Sequence, residues 1–221
     1  MKRLTLARYI DHTLLKPEAT PEQVKTLCQE ALANHFAAVC LNALYVPLAV
    51  DILRGSDVAV CTVIGFPLGA TSTAVKVCEA EIAIAQGAVE IDMVIPVGLL
   101  KAGERARVYG DIAAVSAACH AHGAKLKVIL ETALLTNEEK VLACEICQQA
   151  SADYVKTSTG FAKGGATVTD IALMRATVGP EMGIKAAGGI RDYETALAMI
   201  QAGATRIGAS SSLAIVAGAP E

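Results

Sequence analysis

The chain of 221 residues has no tryptophan, and aromatic residues make up only 4% of it. Stacking surfaces for bases need aromatic side chains, so this scarcity argues against nucleic acid as a partner. A formal charge of −3 points the same way. It offers polyanions no global attraction, and any phosphate must be held locally. Four histidines supply few ligands for a metal-assisted reaction, and His120 and His122 stand two apart on a helical stretch, where they do not share a face. No apolar run approaches membrane-spanning length, and Met1 to Leu15 already carries Asp11 and His12, which argues against a membrane partner. The seven cysteines show no repeated spacing, and one isolated Cys144-x-x-Cys147 falls in a helical stretch. That usage fits reduced, core-type thiols in a cytoplasmic setting and not a disulfide framework or a zinc site. Nor does a Gly/Pro/Ser-rich linker interrupt the chain, so residues 1–221 are expected to form one domain.

What the sequence does have is apolar residues, 53% of the total, in short β-type runs that alternate with longer helical ones. The predicted strands are Ile10–Leu14, Ala38–Leu41, Val58–Ile64, Val89–Ile95, Leu126–Leu130, Tyr154–Thr157, Ile184–Ala186 and Arg206–Gly208. Between them lie helix-start signals: Thr20-Pro21-Glu22-Gln23, Thr136-Asn137-Glu138-Glu139, and Asp192 ahead of a helix reaching about Gln201. Ser72–Gln86 carries apolar residues at helical spacing. Gly87-Ala88, Gly123-Ala124, Ser151-Ala152 and Gly203-Ala204 each read as a helix stop before a new strand. Eight such alternations predict an α/β fold, a single (β/α)8 TIM barrel. A doubly wound sheet is the competing reading, but Asp11-His12-Thr13 offers no glycine-rich fingerprint after the first strand.

Barrel enzymes place their chemistry at the C-terminal ends of the strands. Lys156 ends an apolar run and is followed at once by Thr157, Ser158, Thr159 and Gly160. A lysine there is desolvated and suited to attack a carbonyl; the alternative is a strand-end ammonium reaching solvent. Lys185 sits on the next strand, about 4.8 Å away. Like charge and burial together then depress an amine's pKa. Glu90 and Asp92 alternate in an otherwise apolar run, so both face one side, and a carboxylate so placed must be paired or functional. Asp92 with a lysine makes a proton shuttle, or a structural ion pair. Lys127 and Glu131 are supporting candidates, and the facing of Lys127 is left open. Gly188-Gly189-Ile190-Arg191 after strand seven and Gly208-Ala209-Ser210-Ser211-Ser212 after strand eight look like a phosphate cradle, with Gly164-Gly165-Ala166-Thr167 after strand six closing a third side. Asp11 stands ready to bond a substrate hydroxyl or to hold Thr13, and Cys40 reads as small lining.

Together Asp11-His12-Thr13, Val63-Ile64-Gly65-Phe66-Pro67, Glu90-Ile91-Asp92-Met93-Val94, Val155-Lys156-Thr157-Ser158-Thr159-Gly160-Phe161, Lys185-Ala186-Ala187-Gly188-Gly189-Ile190-Arg191 and Gly208-Ala209-Ser210-Ser211 resemble the deoxyribose-phosphate aldolase family across almost the whole chain. The resemblance implies a metal-independent, cofactor-free class I aldolase that converts 2-deoxy-D-ribose 5-phosphate to acetaldehyde and D-glyceraldehyde 3-phosphate. It implies Lys156 as the Schiff-base lysine, Asp92 and Lys185 as the proton relay, and the late glycines and Ser210 at the phosphate. Some members carry a C-terminal tyrosine; this chain ends Gly218-Ala219-Pro220-Glu221, which puts tail-assisted proton transfer in doubt. A mean hydropathy of +0.46 fits either a tight core or helix surface buried between copies in a dimer or tetramer.

Overall fold

The computed structural model describes residues Met1–Glu221. Eight parallel strands close into a barrel in sequence order: β1 (Ile10–Leu14), β2 (Ala38–Leu41), β3 (Ala59–Ile64), β4 (Glu90–Val94), β5 (Lys125–Ile129), β6 (Tyr154–Lys156), β7 (Gly183–Ala187) and β8 (Arg206–Ala209). β8 pairs back onto β1 through Ile10–Ile207, Asp11–Gly208 and His12–Ala209. That closure removes the doubly wound alternative, which would leave two edge strands unpaired. Every predicted strand forms, and each end lies within one residue of its expected position.

Helices α1 (Arg3–Ala7), α2 (Pro21–Asn34), α3 (Val46–Leu53), α4 (Thr73–Ala85), α5 (Val97–Lys101), α6 (Arg105–His120), α7 (Asn137–Gln149), α8 (Val168–Val178), α9 (Tyr193–Gln201) and α10 (Ser212–Ala217) surround the strands. None is long and apolar enough to cross a membrane. Their starts follow local chemistry. Thr20 and Thr136 form complete capping boxes with Gln23 and Glu139, and Asp192 accepts from the Thr195 N–H at 2.8 Å. Ser72 precedes α4 as expected, without a side-chain cap bond.

Two buried zones result. Between strands and helices lies an apolar cluster of 52 residues, with Ile91, Met93, Leu126, Val128, Val155, Ile184 and Ile207 as the sheet's contribution. Each such side chain stabilises the fold by roughly 1.5–3 kcal/mol on burial. Inside the barrel, the alternate residues of the same strands are mostly charged. Pro220 and Glu221 lie beside Arg3, which also reaches Asn34 at the end of α2. That is the end of the barrel opposite the strand C-termini, so this tail does not approach the site.

Candidate active site

Period-two alternation throws Asp11, Glu90, Asp92, Lys127, Lys156, Lys185 and Arg206 into the barrel interior, and all are buried. Asp92 is the hub. Its Oδ2 accepts from Lys156 Nζ at 2.7 Å and from Lys185 Nζ at 2.8 Å. Its Oδ1 accepts from Lys127 Nζ at 2.8 Å and from the Cys61 thiol at 3.1 Å. Lys156 and Lys185 are register partners on β6 and β7, which is why their ammoniums meet on one oxygen. Lys127 is the register partner of Asp92 itself and therefore faces inward, settling its orientation. Below this layer Arg206 donates to Asp11 at 2.6 Å and to both oxygens of Glu90 at 3.1 Å. Lys127 also contacts Glu90 at 2.7 Å.

Asp11 is thus anchored in the interior and is not among the cavity-lining residues. Its Oδ2 lies 2.5 Å from Lys185 Nζ, an ion contact outside good hydrogen-bond geometry. The Thr13 hydroxyl donates only to the Asp11 backbone carbonyl, at 2.8 Å. His12, one residue on, points outward. Its ring lies 2.7 Å from Glu30 and 2.9 Å from Ser212, and burial pushes its pKa down despite Glu30.

The electrostatics follow from this geometry. Burial alone would raise the pKa of Asp92, but Lys127, Lys156 and Lys185 together hold it well below the usual carboxylate range. Burial likewise opposes the charged form of Lys185, yet Asp11 and Asp92 outweigh it and raise its pKa. Lys127 is raised in the same manner, mainly by Asp92 against desolvation. The idea that the two neighbouring ammoniums simply depress each other is therefore corrected for Lys185: its carboxylate partners dominate, and it stays a cation.

Above the hub lies an open cavity of about 410 Å³, lined by residues that include Thr13, Leu14, Lys16, Lys156, Thr159, Phe161, Gly188, Gly189, Arg191, Gly208 and Ser210. Of the lysines bonded to Asp92, Lys156 alone forms part of its wall. Gly188 (φ 86°) and Gly189 (φ 80°) adopt left-handed backbone, which other residues take only with strain. Gly208 has a second duty: a Cβ there would stand 2.9 Å from Lys185 Cε, so its smallness makes room for the lysine stem. Gly164 and Ser211 are not among the lining residues. The former packs against Ala133, and the latter is the N-cap of α10. Arg191, the last residue of the Gly188-Gly189-Ile190-Arg191 run expected at the phosphate, lies on the cavity wall together with Lys16; Lys16, Cys61 and Arg206 do not stand out in the sequence. For Arg206 a signal existed, since it alternates with Gly208 on β8. For Cys61, nothing local distinguishes it from the other apolar-run cysteines.

Two donor sets have metal-ligating spacing: Cys40, Cys61 and Asp92, and Asp11, Cys61 and Glu90. Their carboxylates already meet Lys127, Lys156, Lys185 and Arg206, so a dication would enter against four positive groups. Cys40 is fully buried with its sulfur 4.0 Å from Asp92 Oδ2, packed with Cys61, Val63 and Leu15. It acts as small lining in this wall.

A closed (β/α)8 barrel with a lysine in its cavity floor, buried acid and base groups beneath and glycine turns beside two cations defines a barrel enzyme equipped for carbonyl chemistry. Comparison with known proteins narrows the class. Residues 5–218 match the DeoC/LacD family of aldolases. The chain is 60% identical to a deoxyribose-phosphate aldolase of Brevibacillus brevis, covering 98% of this chain and 97% of that one. It is 59% identical to that of Thermococcus kodakarensis over the full length of both. Among solved structures, a tetrameric deoxyribose phosphate aldolase from Aeropyrum pernix superposes with a TM-score of 0.92 at 34% identity, covering 98% of this chain and 91% of that one. The chain belongs to the DeoC/LacD family of aldolases.

Proposed function

We propose that the enzyme cleaves 2-deoxy-D-ribose 5-phosphate reversibly to acetaldehyde and D-glyceraldehyde 3-phosphate through a Schiff base on Lys156. One observation carries this reading: Lys156 alone among the lysines on Asp92 is exposed to the cavity. The charge count supports it. Lys127, Lys156, Lys185 and Arg206 face Asp11, Glu90 and Asp92, four bases against three acids, so Lys127, Lys185 and Arg206 still match every acid when Lys156 bonds to the substrate.

In the proposed sequence, the Lys156 amine attacks C1 of the open-chain aldehyde, and the carbinolamine loses water to give a protonated imine. That cation draws the electron pair as the C2–C3 bond breaks, while the C3 hydroxyl proton leaves and D-glyceraldehyde 3-phosphate departs. The remaining enamine takes a proton at C2, and hydrolysis releases acetaldehyde. Asp92 Oδ2, shared between Lys156 and Lys185, is suited to pass protons in these steps, directly or through a water, an effect worth roughly 10²–10⁴ in rate. Oδ1, fixed by Lys127 and Cys61, keeps the carboxylate from turning away. The phosphate falls to Gly188, Gly189, Gly208 and Ser210 with Lys16 and Arg191, which sets the distance of C1 from Lys156.

Borohydride reduction in the presence of acetaldehyde tests the reading. An ethyl group is expected on Lys156, located by peptide mass mapping. A label on Lys127 or Lys185 reassigns the nucleophile, and no label on any lysine rejects the covalent route.

A further inference from the structure

Three non-glycine residues adopt positive φ: His35, Glu131 and Ser151. His35 and Ser151 end α2 and α7, where left-handed backbone closes a helix. Glu131 (φ 58°, ψ 61°) instead lies just beyond the C-terminal end of β5, and it is buried. The ladder explains the kink. Leu130 N–H donates to Lys156 O at 2.9 Å, and Thr132 N–H donates to Thr157 O at 2.9 Å. Amides two residues apart in a regular parallel pair reach carbonyls two residues apart; here the carbonyls are adjacent. The β5 side therefore carries one extra residue, and the left-handed turn at Glu131 absorbs it as a bulge.

That bulge aims the carboxylate at the loop after β6. Thr159 Oγ1 donates to Glu131 Oε2 at 2.5 Å, and the Thr159 N–H reaches the same oxygen at 3.3 Å. All the side-chain hydrogen bonds of Glu131 go to Thr159. The Thr159 hydroxyl also accepts from the Phe161 N–H at 3.0 Å. Thr159, Gly160 and Phe161 form one wall of the cavity beside Lys156. We infer that Glu131 is a positioning residue for the reaction, a latch that holds the Thr157–Phe161 segment so that this wall and Lys156 keep their places. The inference rests on the cavity being the substrate site proposed above. Strained backbone persists where surrounding structure over-determines it, and here the latch is what the strain secures.

Glu131→Gly separates the latch from the backbone, because it removes the carboxylate while relieving the left-handed strain. The unfolding temperature is expected to hold or rise, while kcat/KM for the cleavage falls about tenfold to a hundredfold, chiefly in kcat. Glu131→Gln, which keeps an acceptor for Thr159, should restore most of that loss. Adding Thr159→Val to Glu131→Gly should cost little more than either change alone. Wild-type kinetics in Glu131→Gly, or losses that add independently in the double variant, overturn the latch. Borohydride trapping of the wild type keeps the two readings apart. A wild type that is not labelled at Lys156 rejects the Schiff base, while the effect of Glu131→Gly on turnover still decides for or against the latch.

Discussion

Strands β4 to β8 of this barrel face two interiors built from opposite materials. Outward, Ile91, Met93, Leu126, Val128, Val155, Ile184 and Ile207 join the apolar cluster under the helices. Inward, one residue along the pleat, stand Glu90, Asp92, Lys127, Lys156, Lys185 and Arg206. The outer interior gains stability in proportion to area removed from water, and a lost methyl group is felt locally. The inner one behaves as a unit, because removing any charge leaves its partners buried without compensation. Stability and chemistry are thereby separated by the alternation of side chains along a single strand.

The sharpest way to break this comparison is Lys156→Leu. Cleavage should fall to background in a direct assay of acetaldehyde release, with the far-ultraviolet circular dichroism of the folded barrel retained. Residual turnover near the wild-type rate would show that the inner layer does not act through this amine.

Asp92→Leu should come next, and it affects both quantities. Loss of the proton relay lowers kcat by about 10²–10⁴. Leaving Lys127, Lys156 and Lys185 without their shared carboxylate destabilises the fold by about 3–5 kcal/mol. The pH dependence has a definite sign. Because Asp92 is held below the ordinary value of 3.8, its contribution is present above that pH and is lost as pH falls through the depressed folded value. Urea unfolding should therefore show a gap between wild type and Asp92→Leu that holds from about pH 5 to neutrality and closes in strong acid. A gap that widened on acidification would contradict the assigned ion pairs.

Much of this division is already legible in the sequence. Glu90 and Asp92 stand out because carboxylates interrupt an apolar run with period two, and the helix starts at Thr20, Thr136 and Asp192 are written in adjacent residues. Lys127 is different. Its facing depends on pairing with Asp92 across β4 and β5, a register that only the closed barrel sets. Arg206 reads as an ordinary residue at a strand entrance until Asp11 and Glu90, from strands far apart in the chain, are brought beneath it. Glu131 is a candidate by residue type, but its bulge arises from a ladder offset between β5 and β6 that no local pattern encodes. Gly208 shows the opposite difficulty. Its pairing with serines suggests a phosphate turn, while its contact with the Lys185 stem appears only in three dimensions.

For the outer interior the matching test is Ile91→Ala, between Glu90 and Asp92 on β4. Burial is complete there, so the loss should be about 2–5 kcal/mol in urea unfolding. At a temperature where the variant is fully folded, kcat and KM should stay at wild-type values. A kinetic defect as large as that of Asp92→Leu would mean that the two faces of β4 are mechanically coupled and that the separation drawn above fails.

The smallest expected effect sharpens the boundary between fold and site most finely. Thr136 caps α7 only five residues beyond Glu131. Its Oγ1 accepts from the Glu139 N–H at 3.3 Å, and Glu139 accepts from the Thr136 N–H at 2.8 Å. Thr136→Ala removes one of these bonds at the surface and should cost about 1 kcal/mol. Cleavage kinetics should not change, since the Glu131–Thr159 contact lies on the cavity side of the same connection and does not involve the cap. If Thr136→Ala instead slowed turnover to the extent expected for Glu131→Gly, the whole β5–α7 connection would be acting as one lever. The carboxylate of Glu131 would then lose its claim to a separate role.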